Sequence, residues 1–331
     1  MGNREQQYVI GIDLGGTKIE LGIVDDEGRI YDRERLDTPV QEGPAAVERE
    51  ILKNIDILRK RSGLPLSGVG IGVAGQIQWG TGLVIFAPNL QWHRFPLQAN
   101  IEKALNIPTC IVNDVRAIAF GEWLYGAGKG SRDLLCVFVG TGIGGCLISN
   151  GKLMTGCSNT FGEVGHMTID FKGPKCTCGK RGCFEAFAGG WGIAARAKEA
   201  IEKDKQGKAS QCLLKLADGK LEAVTAKILM EAYRQKDPMA EMLIEEVQKA
   251  LIAGFASLVN LYNPCRLIIG GGVIDGMPEM IQKIDKGIRE MALQASSQSL
   301  EVRKAQLGKE VGVIGSAAAI FNKLKEKEAY E

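Results

Sequence analysis

One imidazole and three thiols lie close together in the middle of the sequence and could bind a metal ion. They are His166, Cys176, Cys178 and Cys183. Glycines between them allow the tight turns that would bring four ligands to one point. A Cys₃His set fills the tetrahedral shell of a structural zinc ion and leaves no open position for water. The spacing therefore favours a zinc ion that shapes a loop over free structural cysteines.

Two carboxylates flank this cluster in the sequence. Glu163 lies three residues before His166, and Glu185 lies two residues after Cys183. Either Glu alone would be typical of a solvated surface charge. A metal-anchored loop would hold both in place, and carboxylates accept pairs of hydrogen bonds from sugar hydroxyl groups. Both are therefore candidate sugar-binding residues.

Two glycine-rich turns between short apolar runs have the composition of phosphate-binding loops. The first consists of Asp13, Leu14, Gly15, Gly16, Thr17 and Lys18. Its glycine pair would let backbone N–H groups approach a phosphate, Thr17 offers a hydroxyl group, and Asp13 could hold Mg²⁺ directly or through water. A plain hairpin turn is the alternative interpretation of the same residues.

The second turn consists of Gly140, Thr141, Gly142, Ile143, Gly144 and Gly145. It satisfies the G-x-G-x-x-G spacing of NAD-binding proteins, with Glu163 at a suitable distance downstream, so an NAD-dependent oxidoreductase is an alternative. That motif needs a helix to begin inside it, whereas residues 146–149 are apolar and precede an Asn-Gly turn, which predicts a strand. The P-loop pattern G-x-x-x-x-G-K-[ST] is also absent from the sequence. We therefore favour a nucleotide held between two lobes by two similar hairpin turns.

Asn113 and Asp114 stand where a predicted strand ends and a helix begins. Asp114 alone would be typical of a helix N-cap. The carboxyl end of a strand in an α/β protein is also where ligand sites form, and a carboxylate at a helix N-terminus stays ionised. Phosphoryl transfer needs only a weak base, because it depends mainly on positioning and charge neutralisation. Asp114 could therefore accept the proton of an attacking hydroxyl group.

The elements that position these residues follow a mixed α/β order. Residues 8–25 and 134–150 each predict a strand, a turn and a strand, which indicates an internal duplication. Further strands are predicted at 69–75, 109–114 and 266–269, and helices at 45–61, from 115, and at 190–203, 223–235, 239–262 and 311–323. Residues 204–220 are polar and weakly patterned, which predicts a surface connection.

Composition limits the classes of protein to be considered. The 331 residues include 41 Lys and Arg against 39 Asp and Glu, a formal net charge of +2 that gives no broad grip on nucleic acid or anionic membranes. The length predicts two domains. Nine cysteines are an odd number for a disulfide framework, and the first residues match neither a signal peptide nor a membrane span, so we expect a cytoplasmic protein.

Four ordered motifs together resemble the ROK family of bacterial sugar kinases and sugar-responsive repressors, most closely its glucokinase branch. They are DxGGTK at 13–18, GTGxGG at 140–145, GExGH at 162–166 and CxCGxxGCxE at 176–185. The resemblance runs from Tyr8 to about Ala319 and so covers nearly the whole chain.

The resemblance implies two ribonuclease-H-like lobes of the actin/hexokinase type around a central cleft. We expect a small lobe of residues 1–114 plus 311–331 and a large lobe of residues 115–310 with the zinc loop. The implied reaction transfers the γ-phosphate of MgATP to the 6-hydroxyl of a hexose, with glucose first and N-acetylmannosamine, N-acetylglucosamine, fructose and allose as alternatives. A homodimer or homotetramer is also implied.

The resemblance further assigns roles to single residues. Asp114 resembles the catalytic base. The implied sugar-binding residues are Gly75, Asn89, Asn113, Asp114, Glu163, His166 and Glu185. The implied nucleotide-binding residues are Asp13, Gly15, Gly16, Thr17, Lys18, Gly140, Thr141, Gly142, Gly144, Gly270, Gly271 and Gly272. The zinc-ligating His of this family also faces the sugar, which links metal retention to substrate binding.

The sequence departs from the family pattern at three points near these substrate positions. Ala74 stands where the usual G-x-P-G has Pro, and Gln91 stands where the usual Asn-Leu-Pro has Pro, although Trp92 is kept. The stretch AFAGGWG at 186–192 replaces the more usual Ser-Gly-Thr.

A sugar-responsive repressor is a second hypothesis, because the family contains both classes. Such members carry an N-terminal helix-turn-helix domain, and seven residues before Tyr8 are too few for one, so we expect none. A sugar sensor without catalytic activity is the weaker alternative. The sequence therefore favours an ATP-dependent hexose kinase.

Overall fold

The structure is a computed structural model, and it describes residues 6–78, 80–204, 207 and 209–328. The strands are β1 (Tyr8–Leu14), β2 (Lys18–Asp25), β3 (Ile30–Asp37), β4 (Leu66–Val73), β5 (Gln76–Ile77), β6 (Val84–Ala87), β7 (Trp92–Phe95), β8 (Thr109–Asn113), β9 (Leu134–Val139), β10 (Ile143–Ser149), β11 (Lys152–Leu153), β12 (Arg266–Gly270) and β13 (Glu301–Lys304). The helices are α1 (Pro44–Ser62), α2 (Leu97–Leu105), α3 (Asp114–Leu124), α4 (Phe184–Ala188), α5 (Gly190–Lys203), α6 (Gln211–Leu216), α7 (Ala226–Arg234), α8 (Pro238–Tyr262), α9 (Gly272–Gly276), α10 (Met280–Met291), α11 (Gln294–Ser297) and α12 (Val311–Glu328).

The chain forms two compact units, and each contains a five-stranded sheet. Unit 1 comprises Met1–Gly130, Thr155–Phe161 and Ala305–Glu331, and unit 2 comprises Ser131–Met154 and Gly162–Lys304. The strand order is β3-β2-β1-β4-β8 in unit 1 and β11-β10-β9-β12-β13 in unit 2. In each sheet an antiparallel hairpin is followed by two parallel strands. The shared order agrees with the internal duplication that the sequence predicts.

The carboxyl ends of three neighbouring parallel strands lie at one edge of the unit 1 sheet. β4 lies between β1 and β8 and pairs in parallel with both. The core beneath these strands is built from alternating aliphatic side chains that α1 and α2 cover. On the other face α12 approaches so closely that a Cβ at Gly11 or Gly70 would overlap its backbone carbonyls. The glycines of β1 and β4 therefore allow helix and sheet to pack at backbone distance.

A three-stranded sheet of β5, β6 and β7 is also part of unit 1. A 3-10 turn at Pro88–Leu90 joins β6 to β7, and Trp92 is fully buried directly after it. Asn89 is thereby presented on an exposed turn whose base is fixed in the core.

In unit 2 the sheet is buried under helices. All six residues of β9 are buried, as a central strand covered on both faces requires. The long helix α8 begins at an Asp237 N-cap, whose side chain accepts from the Ala240 N–H over 2.8 Å, and Pro238 occupies its first turn. Within the described residues, no helix is both long enough and apolar enough to cross a membrane.

Most predicted elements are confirmed, including both hairpins and the mixed α/β class with two related lobes. The predicted surface connection at 204–220 is wrong in one respect, because residues 211–216 form α6 and bury Leu213 completely. The predicted stretch also includes residues 205, 206 and 208, which lie outside the described residues.

The division into units differs from the predicted lobe boundary after residue 114. Helix α3 belongs to unit 1, because it packs against α12. Gly121 and Gly315 are the points of closest approach, and a Cβ at Gly315 would overlap the Ala117 carbonyl. Two glycines far apart in sequence thus allow α3 and α12 to pack closely within unit 1.

Candidate active site and metal-binding cluster

Two carboxylates stand at the edge of the unit 1 sheet where β1 and β8 end. Asp13 is the sixth residue of β1, and Asp114 directly follows β8. Burial, the nearby charge of Asp114 and the charge of Glu20 together raise the pKa of Asp13 to about 6. Burial also raises the pKa of Asp114, although the Val115 N–H partly opposes the shift. A pair of this kind suits a cation bound at one carboxylate and a proton accepted at the other.

Asn113, and not Asp114, is the N-cap of α3. Its Oδ1 accepts from the N–H of Val115 over 3.0 Å and from the N–H of Arg116 over 3.4 Å. Its Nδ2 donates to the Gly75 carbonyl over 3.3 Å. The N-cap alternative for Asp114 is therefore wrong, because Asn113 performs the capping and leaves Asp114 as the first helical residue. The structure brings three of the predicted sugar-binding residues together here.

The first glycine turn is the tight end of an antiparallel hairpin. The N–H of Gly15 donates to the Lys18 carbonyl over 3.0 Å, and Thr38 Oγ1 donates to the Gly15 carbonyl over 2.7 Å. A Cβ at Gly16 would lie 2.5 Å from the backbone oxygen of Asn89, so this glycine is needed for close packing. The turn thus places a predicted nucleotide-binding segment against a predicted sugar-binding residue.

Thr17 and Lys18 are both exposed at this turn. The N–H of Thr38 donates to the Thr17 carbonyl over 3.0 Å, which leaves the Thr17 side chain outside that contact. Lys18 forms an ion pair with Asp37 on β3.

The second glycine turn leads into a strand and not into a helix. Residues 143–149 form β10, antiparallel to β9, as the sequence predicts, so the NAD-binding interpretation lacks the helix it requires. The Gly140 N–H donates to the Gly142 carbonyl over 2.9 Å within the turn. Two N–H groups from the start of α5, of Gly190 and Trp191, donate to the carbonyls of Gly140 and Thr141 over 2.9 Å and 3.0 Å. The turn is therefore supported from behind by α5.

The GExGH segment packs directly on β10. The Gly145 N–H donates to the Gly162 carbonyl over 3.0 Å, and a Cβ at Gly162 or Gly165 would overlap the β10 backbone. A 3-10 turn at Val164–His166 then leaves Glu163 and His166 exposed at its two ends. The glycines of the motif thus bring these two side chains beside the second turn.

Glu185, on α4, lies against the second turn with both carboxylate oxygens engaged. Oε2 accepts from the Ile143 N–H over 2.7 Å, and Oε1 accepts from the Trp191 Nε1–H over 2.9 Å. Gly142 lies so close to Oε2 that any Cβ there would overlap it. Glu163, His166, Glu185 and the second turn accordingly form one continuous part of unit 2.

The four predicted metal ligands come together in unit 2. Their ligand atoms all lie within 4.8 Å of one another. Cys176 Sγ is 3.7 Å from His166 Nδ1, and Cys178 Sγ is 3.6 Å from Cys183 Sγ. A tetrahedral zinc ion with bonds of about 2.3 Å would separate its ligands by about 3.8 Å. The cluster is therefore a candidate metal-binding site of the correct size, in which Nδ1 of the His ring faces the thiols.

The loop around this cluster is closed by backbone hydrogen bonds. The Cys176 N–H donates to the Lys180 carbonyl and the Phe184 N–H to the Met167 carbonyl, each over 2.8 Å. A hydrogen bond from the Lys180 backbone N–H lowers the pKa of the Cys178 thiol, whereas burial raises the pKa of Cys183 to about 12. A divalent cation would supply the positive charge that a buried thiolate needs.

The Gly270–Gly272 segment is the turn between β12 and α9. Gly271 has φ +95°, and a Cβ there would lie 2.5 Å from the Val139 carbonyl oxygen, so the turn requires glycine. This fits a chain reversal at the edge of the unit 2 sheet, next to β9.

Two residues that form hydrogen bonds with the candidate site are not predicted from the sequence to be functional. Thr38 holds the first turn, but this contact depends on the register of β2 and β3, which no local pattern reveals. Trp191 holds Glu185, and the departure at residues 186–192 is the signal that points to it.

Comparison with known proteins identifies the family of the chain. The model of the ROK family matches residues 9–323. The chain belongs to the ROK family. A glucokinase from Streptomyces coelicolor is 34% identical over 309 residues, which cover 93% of this chain and 96% of that protein.

Two solved structures also resemble the whole chain. A ROK glucokinase from Streptomyces griseus, in complex with glucose and AMPPNP, has a TM-score of 0.75 at 34% identity and covers 94% of this chain and 98% of its own. A ROK hexokinase from Thermus thermophilus has a TM-score of 0.82 at 29% identity and covers 97% of this chain and 100% of its own. The predicted family and the two-lobe actin-like fold are thereby confirmed.

The raised pKa of Asp13 predicts that Asp13→Asn stabilises the protein free of nucleotide and Mg²⁺ at pH 8. Because the folded-state pKa exceeds the unfolded value, the folded protein binds more protons between about pH 4 and 6, so wild-type stability falls as pH rises through that range. The neutral amide avoids this loss. We expect a gain of about 1–3 kcal/mol at pH 8, measured by urea unfolding, that shrinks towards pH 4.

Asp56→Asn is the matched control, since Asp56 is an exposed residue of α1 that pairs with Lys60. Its stability should stay within about 0.5 kcal/mol of the wild type at both pH values. A destabilised Asp13→Asn protein at pH 8 would contradict an electrostatic origin of the effect.

Proposed function

We propose that the protein is an ATP-dependent glucose kinase that transfers the γ-phosphate of MgATP to the 6-hydroxyl of the sugar. The observation that carries this proposal is the half-buried pair of Asp13 and Asp114, whose pKa values are both raised, at the carboxyl ends of β1 and β8. The glucokinase relative and the structure solved with glucose and AMPPNP support the choice of sugar and nucleotide.

Asp114 is the proposed general base. Burial raises its pKa, which makes its carboxylate a better proton acceptor near neutral pH. As the sugar oxygen forms its bond to the γ-phosphorus, the bond from phosphorus to the β-phosphate oxygen breaks, the hydroxyl proton passes to Asp114, and ADP leaves. Asn113 keeps Asp114 in place, because it fixes the start of α3 through two backbone N–H groups.

Each unit contains its own set of proposed sugar-binding residues. In unit 1, Asn113, Gly75 and Asn89 surround the strand ends. In unit 2, Glu163, His166 and Glu185 offer carboxylate and imidazole groups to sugar hydroxyls. His166 would use Nε2 for this contact, since Nδ1 faces the thiols.

The nucleotide-binding residues are the two hairpin turns and the Gly270–Gly272 segment. Backbone N–H groups of the turns would face phosphate oxygens, and Thr17 and Lys18 are exposed beside the first turn. Asp13 would hold Mg²⁺, directly or through water, and this fits its raised pKa because a cation favours the ionised carboxylate. When bound, Mg²⁺ neutralises the charge that develops on the phosphates.

We further propose that zinc occupies the Cys₃His cluster and has a structural role. The four donors fill a tetrahedral shell, so the ion would fix the loop that carries His166 and that ends at α4, where Glu185 lies. Two further expectations stay predictions: a cytoplasmic location, from the first residues and the cysteine content, and a homodimer or homotetramer, from the family resemblance.

Turnover with MgATP and a panel of hexoses tests the proposed reaction. We expect ADP formation with glucose, against a baseline without sugar, with N-acetylmannosamine, N-acetylglucosamine, fructose and allose as competing substrates. Asp114→Asn should lower kcat by about 10²–10⁴-fold, because the amide cannot accept the proton. Fold and metal content should be unchanged.

Asp237→Asn provides the same substitution at another helix N-terminus, where Asn can still cap α8, and should retain full turnover. If the wild type turns over one of the other hexoses but not glucose, the choice of sugar is wrong. Turnover retained by Asp114→Asn would remove Asp114 from the mechanism.

Elemental analysis tests the zinc site. We expect about one zinc per wild-type chain and loss of the metal in Cys178→Ser, together with a lower Tm and a raised KM for the sugar. Cys265→Ser changes an exposed cysteine of the same unit and should keep the metal. Equal zinc content in the two variants would exclude the cluster as the binding site.

A further inference from the structure

Trp191 contacts three parts of the candidate site within unit 2. Its indole Nε1–H donates to Glu185 Oε1 over 2.9 Å, and its backbone N–H donates to the Thr141 carbonyl over 3.0 Å. Its ring packs against the buried cluster formed by Cys176, Cys183 and Ala186. One residue thus joins a predicted sugar-binding carboxylate, a predicted nucleotide-binding turn and the candidate metal-binding cluster.

The Glu185 side chain has little conformational freedom where it accepts the hydrogen bond from Trp191. The Ile143 N–H holds its second oxygen over 2.7 Å. Gly142 leaves no room for a Cβ beside that oxygen, and a Cβ at Gly189 would lie 2.9 Å from Glu185 Cγ. Each carboxylate oxygen has a second lone-pair direction, so the two bonds fix the plane of the group and still leave acceptors for ligand hydroxyls.

The indole is well suited to this role. Its N–H is a donor only, so the polarity of the bond to Glu185 cannot reverse. The bond is charge-assisted, which makes it stronger than a neutral one. Without it, Glu185 would keep a single donor, and the terminal torsion of a Glu side chain is intrinsically broad. Loss of the donor would therefore allow the carboxylate plane to rotate.

We propose that Trp191 is a positioning residue that sets the orientation of Glu185 for sugar binding. This inference rests on the proposed function. Because the indole also packs against the buried cluster of Cys176, Cys183 and Ala186, it links the proposed sugar-binding carboxylate to the loop that carries these cysteines. Trp191 lies within residues 186–192, the stretch that departs from the usual family pattern.

Trp191→Phe tests the proposal, because it keeps an aromatic ring and removes the N–H. We expect the Kd for glucose, measured by calorimetry without nucleotide, and the KM for glucose to rise about five- to tenfold. The KM for ATP and kcat should stay within about twofold of the wild type, and zinc content should be unchanged. Tyr31→Phe is the control, because it removes the exposed hydroxyl group of an aromatic residue on β3 in unit 1, and it should match the wild type throughout.

A double-mutant cycle with Glu185→Ala separates positioning from packing. If Trp191 acts through Glu185, adding Trp191→Phe to Glu185→Ala should change the glucose Kd by less than about twofold. An undiminished five- to tenfold effect in that background would show that the ring acts by packing alone, and the proposal would be overturned.

The remaining outcomes separate this inference from the proposed function. If the wild type phosphorylates glucose and Trp191→Phe binds it as tightly as the wild type, the inference fails and the kinase function stands. If the wild type binds glucose without phosphorylating it, the function fails, and the cycle of Kd values still decides the role of Trp191. A wild type that neither binds nor phosphorylates any hexose of the panel overturns both.

Discussion

Two acidic side chains that repel each other share one edge of the unit 1 sheet. Asp13 and Asp114 lie at the carboxyl ends of the two strands that flank β4, and burial, followed by the charges of Asp114 and Glu20, raises the pKa of Asp13 to about 6. Such a pair costs folding free energy at neutral pH. A bound cation and a transferred proton would offset that cost during the proposed reaction, so the site is least favourable when nothing is bound.

The residues around Asp13 and Asp114 leave space for the two carboxylates. Gly312 of α12 lies so close to Asp13 that a Cβ there would overlap the carboxylate. Asn113 takes over the capping of α3, which leaves the carboxylate of Asp114 for other contacts. Gly16 lets the first turn approach Asn89. Small residues and one amide thus create space for two charges in an otherwise aliphatic region.

In unit 2, the carboxylate of Glu185 is held by hydrogen-bond donors and not by a positive charge. Glu185 receives an N–H from Ile143 and one from Trp191, and the same α5 terminus supports the second glycine turn. The Cys₃His cluster lies beside this network, because Trp191 packs against the buried group of Cys176, Cys183 and Ala186. Trp191 is thus the residue that connects Glu185 with the surroundings of the candidate metal-binding cluster.

The sequence predicts those features that depend on local pattern. Both hairpins, the strand before Asp114 and the four metal ligands follow from spacing and residue type, and the structure contains them. It does not predict contacts between distant segments, such as Gly16 with Asn89 or Thr38 with Gly15, because these depend on packing and strand register. The lobe boundary differs for the same reason, since α3 is placed by its contact with α12. The roles of the single site residues stay predictions.

The most direct test of the role of Asp13 is the number of protons released when MgADP binds, measured by calorimetry in two buffers with different ionisation enthalpies. If Asp13 must be ionised to hold the metal, binding should release about half a proton per chain near pH 6 and almost none at pH 8, and Asp13→Asn should lose this pH dependence. Equal proton release by the wild type and Asp13→Asn at both pH values would contradict that role.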